Sequence, residues 1–198
     1  TDFGSTITDL ASINLSSSAG GATEVLLVLV DSAIKTVENG TVTSYSTGPS
    51  TGFLVTGQQK VFAVTTAGVT QIDPKTGTVT TLTATEGTIP TNCTFGAIYR
   101  DRLCLSGQDN AIYMSRQGDY TDWDYGSHVD DQGRAVPFQL SLGADVGPKP
   151  TAIIPCIDSY LLCATARSLW VVQGEPTAGG ALRRVSESVG IIGSRAWV

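Results

Sequence analysis

Apolar and polar residues alternate along this chain in short runs of strand length, and turn signals separate the runs. Residues 24–45 hold three such runs, with a break at Asp31-Ser32 and another at Asn39-Gly40. An Asn-Gly pair between runs rich in β-branched residues is a strong hairpin signal, because both residues tolerate the positive φ of a type I′ turn. The pattern therefore predicts three antiparallel strands joined by tight turns.

The same pattern recurs further along the chain, which predicts a repeat protein. A strand, a turn, an apolar strand, a break and another strand form the unit, and the sequence Gly-Thr-Val-Thr occurs at both 40–43 and 77–80. Periods of about 40 to 50 residues with four strands per unit are typical of propeller blades. The copies lie near residues 24–46, 52–83, 95–125 and 150–190.

This repetition predicts an all-β protein of antiparallel, β-propeller-like repeats, with about four blade-like units. A β-sandwich is the alternative, because its strands and turns recur at a similar density without true repeats. Residues 1–22 are rich in Ser, Gly and Thr and are interpreted as an N-terminal arm or connector, with one short strand near 7–15. Residues 23–198 are assigned to the propeller-like domain.

Two stretches depart from the repeat. Residues 126–149 are irregular and are interpreted as a loop insertion, with a short strand pattern at 136–142. Residues 191–198 resemble the start of a further strand, and an unpaired apolar strand is an adhesive edge. The sequence therefore predicts an incomplete or fragmentary propeller, either part of a longer chain or completed in an assembly.

The composition narrows the function classes. Charged residues make up 15% of the chain, below the roughly 25% usual for soluble domains, and the net charge is −6. An acidic chain is not expected to grip nucleic acid, which normally requires a basic patch. No apolar run reaches the roughly 18 residues of a membrane span, and no signal-peptide pattern opens the chain, so no membrane association is expected.

The densest polar cluster follows the strands of the third unit and is the first candidate site. Asp119, Asp122 and Asp124 could supply oxygen ligands to Ca²⁺, but their spacing fits no EF-hand loop, and the alternative is a set of structural Asx turns. Other polar candidates lie in no catalytic motif: Tyr99, Arg100, Arg102, Tyr113, Arg116 and His128. The cysteines lack metal-ligand spacing and are expected to be reduced structural thiols: Cys93, Cys104, Cys156 and Cys163. The sequence therefore predicts no enzyme, no cofactor and no metal.

One segment carries a resemblance to a known family. Residues 99–107 read YRDRLCLSG, and residues 112–124 read IYMSRQGDYTDWD. This pattern resembles tailed-bacteriophage structural proteins, namely the tail nozzle or hub proteins of short-tailed phages and related β-propeller virion proteins. Tyr120 stands where those proteins commonly have Pro. The motif residues are Arg100, Asp101, Arg116, Gly118, Asp119, Asp122, Trp123 and Asp124.

The resemblance implies a virion component, assembled in the host cytoplasm, whose copies form a ring around the DNA ejection channel. Its implied partners are copies of itself, other tail or portal-adaptor proteins, and phage DNA that passes without specific binding. An acidic lumen would repel phosphates and keep the DNA from sticking. Within this hypothesis we expect Arg116 to pair with Asp119 or Asp122, and Trp123 to pack under the blade.

Two alternative functions stay open. The first is a carbohydrate- or receptor-binding β domain of a tail or surface protein, in which exposed Trp123, Tyr120 and Tyr125 stack on sugar rings. The second is a glycoside-acting propeller enzyme, although no paired carboxylates or arginine triad are recognisable in the sequence.

Overall fold

The computed structural model of the chain describes residues 6–16, 21–30, 33–47, 49, 51–142, 145–146 and 148–197. The described part is built from β-strands, with one 3-10 turn at Ile157–Ser159. It divides into two compact units, Thr1–Leu82 and Thr83–Val198. Within the described ranges, no helix has the length and apolar character needed to cross a membrane.

The first unit contains two four-stranded antiparallel sheets, in each of which every strand pairs with the next one along the chain. The strands of the first sheet are β1 (Ile7–Ser16), β2 (Ala22–Val30), β3 (Ala33–Glu38) and β4 (Thr41–Thr47). Those of the second sheet are β5 (Phe53–Gly57), β6 (Lys60–Thr65), β7 (Gly68–Asp73) and β8 (Thr78–Thr81). Between β3 and β4, Asn39 and Gly40 have φ angles of 47° and 78°, which confirms the predicted hairpin turn.

The Gly-Thr-Val-Thr repeat marks the same place in both sheets of the first unit. Thr41 begins β4 and Thr78 begins β8, so each copy opens the fourth strand of its sheet. The sequence duplication therefore reports a structural repeat, as predicted.

The segment interpreted as an N-terminal arm is in part a strand of the first sheet. β1 pairs with β2 from Ile7 to Ser16. Its residues Ile13 and Leu15 are buried in one core with residues of both sheets: Val25, Leu27, Leu29, Ile34, Leu54, Val61, Ala63 and Ile72. The strand expected near residues 7–15 is thus confirmed. The arm interpretation is wrong for residues 7–16, because they contribute apolar side chains to the core.

The second unit also contains two four-stranded sheets. It begins with β9 (Glu86–Gly87), which pairs in parallel with β13 (Asp122–Trp123). The strands of the third sheet are β10 (Phe95–Tyr99), β11 (Arg102–Ser106), β12 (Ala111–Met114) and β14 (Val136–Gln139). A small ladder follows, of β15 (Ser141–Leu142) and β16 (Asp145–Val146). The strands of the fourth sheet are β17 (Ala152–Cys156), β18 (Tyr160–Ala164), β19 (Leu169–Gln173) and β20 (Ala181–Ser186).

The stretch interpreted as a loop insertion completes the third sheet. β14 pairs antiparallel with β12, with Ile112 opposite Phe138, and confirms the strand pattern predicted at 136–142. Its residues alternate between half-buried and exposed, as expected of an edge strand. The interpretation of 126–149 as an insertion is therefore wrong for residues 136–139.

Residues 191–197 form turns and no strand, unlike the expectation. The Ala196 N–H donates to the carbonyl oxygen of Gly193 at 3.0 Å, and the Trp197 indole donates to that of Ser194 at 2.9 Å. These local bonds use the backbone groups that strand pairing would need.

Among the described strands, each of the four main sheets keeps its four strands in antiparallel meander order, except that the third sheet passes from β12 to β14 and omits β13. This is the strand order of a propeller blade, whereas a β-sandwich exchanges strands between sheets through Greek-key connections. The fold is all-β and propeller-like, as predicted, with four blade-like sheets.

Candidate functional site

The turn between β10 and β11 lies against the loop that follows β12, residues 115–124, which we call the motif loop. Arg100 and Asp101 have φ angles of 51° and 52°, so a two-residue left-handed turn forms here without glycine. The Asp101 carbonyl oxygen accepts a hydrogen bond from the Gly118 N–H at 2.8 Å, and its side chain accepts one from the Tyr120 hydroxyl at 2.9 Å. These bonds fix a strained turn to the loop below it.

The three aspartates of the motif loop each cap nearby backbone. Asp119 Oδ1 accepts hydrogen bonds from the Thr121 hydroxyl at 2.7 Å and from its N–H at 2.8 Å. Asp122 Oδ1 accepts one from the Asp124 N–H at 3.0 Å. Asp124 Oδ1 accepts N–H bonds from Gly126 at 2.9 Å and Ser127 at 3.2 Å.

These contacts favour Asx turns over a metal site. The Thr121 hydroxyl bond holds the pKa of Asp119 below its ordinary value. Bonds from Ser127 and Gly126 do the same for the pKa of Asp124. In the part of the chain that the structure describes, no three His, Cys, Asp or Glu side chains group closely enough to hold a metal ion.

Arg116 ties the two ends of the loop together. Its guanidinium lies 3.6 Å from the Asp122 carboxylate and also bonds to Asp131. Its backbone forms an isolated β-bridge with Asp119. The expected ion pair is thus confirmed with Asp122, and Asp131 is a further partner that the motif did not indicate.

Trp123 packs into the second unit, as predicted. Its side chain is 1% exposed, and its indole N–H donates to the Tyr120 carbonyl oxygen at 2.9 Å. Tyr120 is 4% exposed. The expectation that these two rings stack on sugars is therefore wrong, because both faces of each ring are covered by the protein. Tyr125 is half-buried.

A buried charge lies beside this motif, at one of the polar candidates that belong to no catalytic motif. Arg102 is 0% exposed, and its guanidinium lies 2.7 Å from Glu175. The guanidinium also donates to four backbone carbonyl oxygens, those of Ser115 (3.0 Å), Gln132 (2.9 Å), Gly133 (3.0 Å) and Arg134 (2.6 Å). The sequence indicates a buried ion pair here, because Arg102 opens the apolar run RLCL and a charge in a buried strand requires a partner.

The same region joins the third and fourth sheets. Arg100 donates to the carbonyl oxygen of Asp158 at 2.8 Å and to Glu175 at 3.3 Å. The Tyr99 hydroxyl donates to the carbonyl oxygen of Gly174 at 3.1 Å, and burial raises its pKa. Glu175 therefore forms ion pairs with both Arg100 and Arg102, and these contacts join the third sheet to the fourth.

The remaining polar candidates are also held in structural contacts. The Tyr113 hydroxyl donates to Asp109 at 2.5 Å. The pKa of Tyr113 is raised, mainly by burial and to a smaller extent by this hydrogen bond. His128 lies 3.7 Å from Glu86 on an exposed surface. Burial raises the pKa of Cys93 and of Cys104 to about 12, so neither thiol supplies a thiolate near neutral pH. The structure brings these groups into no nucleophile–base arrangement among its described residues.

Comparisons with known proteins identify the fold. The sequence matches no established protein family and no curated protein. The extracellular domain of a hybrid two component system from B. thetaiotaomicron is similar in structure, with a TM-score of 0.58 and 10% identity over 94% of this chain. This chain spans only 28% of that protein.

Two further structures agree with this result. The Pan2 WD40 domain of Neurospora crassa has a TM-score of 0.54 and 9% identity, over 96% of this chain and 68% of that one. The computationally designed Ika4 protein has a TM-score of 0.50 and 14% identity, over 92% and 91%. WD40 domains are propellers, so at these low identities the comparisons support a propeller-like β fold and carry no function.

Proposed function

We propose that this chain is a structural protein of a bacteriophage tail, of the nozzle or hub type, with no catalytic role. Its copies form a ring around the channel through which DNA is ejected. The proposal rests on the residue pattern at 100–124, which resembles such proteins. The contacts made by that pattern are the main structural support for the proposal, because the polar residues of the pattern bond to the protein itself.

The contacts of the motif explain why a structural protein would carry it. Asp101 bonds to the motif loop, Arg116 and Asp119 bond within it, and Arg100 bonds to the neighbouring sheet. A catalytic site leaves polar groups open toward a substrate, whereas these groups bond to the protein itself. A motif of this kind stabilises a blade-like sheet against its neighbour, which suits a protein that bears mechanical load.

The proposed ring is tested by imaging and by mass. Negative-stain images of the purified chain are expected to show closed rings, and native mass spectrometry is expected to give one multiple of the chain mass. Immunogold labelling of phage particles from the source of this sequence is expected to mark the tail. A chain that stays monomeric at all concentrations and is absent from the particles would contradict the proposal.

The carbohydrate- or receptor-binding alternative remains the second candidate, but not through the residues first considered. Trp123 and Tyr120 are buried, so a binding surface has to lie elsewhere. Ring formation without glycan binding would support the tail hypothesis alone. Glycan binding by a monomer would support the alternative.

A further inference from the structure

A polar cavity lies in the first unit, between the outer strands of the first sheet and the β7–β8 turn of the second. Its volume is about 520 Å³, within the usual size of small-molecule sites. Its walls come from β2, from β3 and β4 with the turn between them, and from residues 74–77. They include Thr36, Glu38, Thr41, Thr43, Tyr45 and Lys75.

The polar wall of the cavity belongs to a face of the first sheet. Nearer the centre of the sheet, the same face carries apolar residues. Thr36 pairs with Thr43 and Glu38 with Thr41, so these four side chains share one face of the first sheet. On that face Leu27, directly opposite Thr36, is fully buried in the core. The sheet therefore changes from apolar to hydroxyl-bearing residues where it still faces the second sheet, and Thr36 is only 4% exposed. Buried polar residues in such a place are informative about function.

Tyr45 is the aromatic member of the cavity wall, and its position is fixed. Its hydroxyl donates to the Pro74 carbonyl oxygen at 2.9 Å and accepts from the Thr36 hydroxyl at 3.3 Å. The ring lies against the backbone of Gly77, where an added Cβ would stand 3.0 Å from two ring carbons. The hydroxyl is thus engaged with the protein, and the ring is held in place as part of the wall.

The charges of the wall exclude the common ionic ligands. One carboxylate, Glu38, and one ammonium group, Lys75, line the cavity and balance each other. A phosphate or a nucleotide would meet one cation beside one anion, and a metal ion would find a single carboxylate. The hydroxyl groups, an amide at Asn39 and an aromatic ring suit a neutral ligand rich in hydroxyl groups.

We propose that this cavity binds a neutral saccharide, with one sugar ring against Tyr45 and its hydroxyl groups bonded to the threonines, Glu38 and Asn39. A second cavity of about 490 Å³ shares Val25, Glu38, Pro74 and Lys75 with the first and continues past Leu15. The two form one groove, which favours an oligosaccharide over a single sugar. The proposal concerns the first unit alone and does not depend on ring assembly.

NMR titration of the ¹⁵N-labelled chain tests this proposal with named sugars. Maltotriose, cellotriose and chitotriose serve as neutral oligosaccharides, glucose as the single ring, and glucose 6-phosphate as its charged counterpart. At least one neutral trisaccharide is expected to shift the amides of residues 36–45 and 74–77 at concentrations on the order of 10 mM, and more strongly than glucose does. No shift with any neutral sugar, or stronger binding of glucose 6-phosphate, would overturn the proposal.

Substitutions in the groove test the assigned contacts. Tyr45→Ala is expected to weaken binding by about tenfold, whereas Tyr45→Phe keeps the ring and is expected to change it little. Thr43→Val removes one hydroxyl from an exposed strand position and is expected to weaken binding several-fold. Thr80→Val is the matched control, because Thr80 holds the equivalent place in the second Gly-Thr-Val-Thr copy, outside the groove. Equal effects of Thr43→Val and Thr80→Val would contradict the assigned contacts even if Tyr45→Ala unfolded the protein.

Discussion

Arg102 shows how a full charge can lie in a β-sheet core. Burying an unpaired guanidinium is costly, and this one is 0% exposed. Glu175 supplies the opposite charge at 2.7 Å, and backbone carbonyl oxygens take further N–H groups. Charge-assisted bonds of this kind are stronger than neutral ones, so the pair fixes the geometry of the second unit.

Removing the carboxylate charge of Glu175 is therefore expected to destabilise the protein. Glu175→Gln leaves Arg102 buried with only neutral acceptors, which we expect to lower the free energy of unfolding by about 2 kcal/mol. Urea denaturation measures the change. Glu86→Gln is the control, because Glu86 is 55% exposed and is expected to change stability little. Equal effects of the two substitutions would show that the buried pair does not stabilise the fold.

The turn at Asp119 is expected to contribute to acid sensitivity. Hydrogen bonds from Thr121 keep the pKa of Asp119 lower in the folded than in the unfolded state. Such a carboxyl stabilises the fold above its unfolded pKa, and this stability is lost as the pH falls through the folded pKa.

In Asp119→Asn, unfolding free energy is therefore expected to fall less steeply below about pH 4 than in the native chain. An Asn side chain can still cap the turn, so only the titration is removed. Urea titrations at a series of acidic pH values measure the slope. Asp130→Asn, at an exposed residue, is the control for the loss of one surface carboxylate. A native slope in Asp119→Asn would contradict the prediction.

Truncation of Trp123 is expected to lower the free energy of unfolding strongly. The side chain is 1% exposed, so Trp123→Ala leaves a large cavity and should cost about 3 kcal/mol or more. Thermal melting followed by circular dichroism measures this cost. Tyr160→Ala is the control at an aromatic residue that is 43% exposed. An unchanged melting temperature for Trp123→Ala would contradict its placement in the core.

At the scale of elements, the short parallel pair of β9 and β13 depends on one glycine. A Cβ on Gly87 would lie 2.2 Å from the Trp123 carbonyl oxygen, and the φ of Gly87 is 70°. Gly87→Ala therefore meets backbone that cannot move without breaking the pair.

We expect Gly87→Ala to lower the free energy of unfolding by several times the cost of Gly40→Ala. Gly40 has a similar φ of 78° but open space around it, so its substitution carries only the left-handed backbone cost of about 1 kcal/mol. The difference between the two variants in urea isolates the steric clash. Equal costs would mean that β9 shifts freely away from β13.

Local patterns predicted the turns and most strands, because alternation and turn residues are local signals. Asn39-Gly40 and the Gly-Thr-Val-Thr copies lie where they were expected. The burial of β1 does not follow from its sequence, because its alternation is weak and its burial depends on a partner strand and a second sheet. For Trp123, the tail hypothesis predicts packing under the blade and the carbohydrate-binding alternative predicts an exposed ring, and a two-residue strand shows no periodicity that would decide between them. The partner of Arg102 could not be predicted from local sequence patterns, because Glu175 lies 73 residues further along the chain.

At the scale of the whole molecule, the net charge of −6 governs contact with DNA. The chain is expected to bind duplex DNA no more tightly than about 10⁻⁴ M at physiological salt, because few cations are available to release counterions. Fluorescence anisotropy with labelled duplex measures this. Tighter binding that strengthens as salt is lowered would contradict a non-adhesive role.

The long separation between Arg102 and Glu175 also bears on how the protein is made. During synthesis, β10, β11 and β12 leave the ribosome well before Glu175, which follows Arg102 by 73 residues. Until Glu175 is synthesised, Arg102 lacks the carboxylate that lies beside it in the folded chain. We therefore expect the burial of Arg102 to be completed only when β19 has been translated, and incomplete burial of apolar surface favours aggregation of a nascent chain.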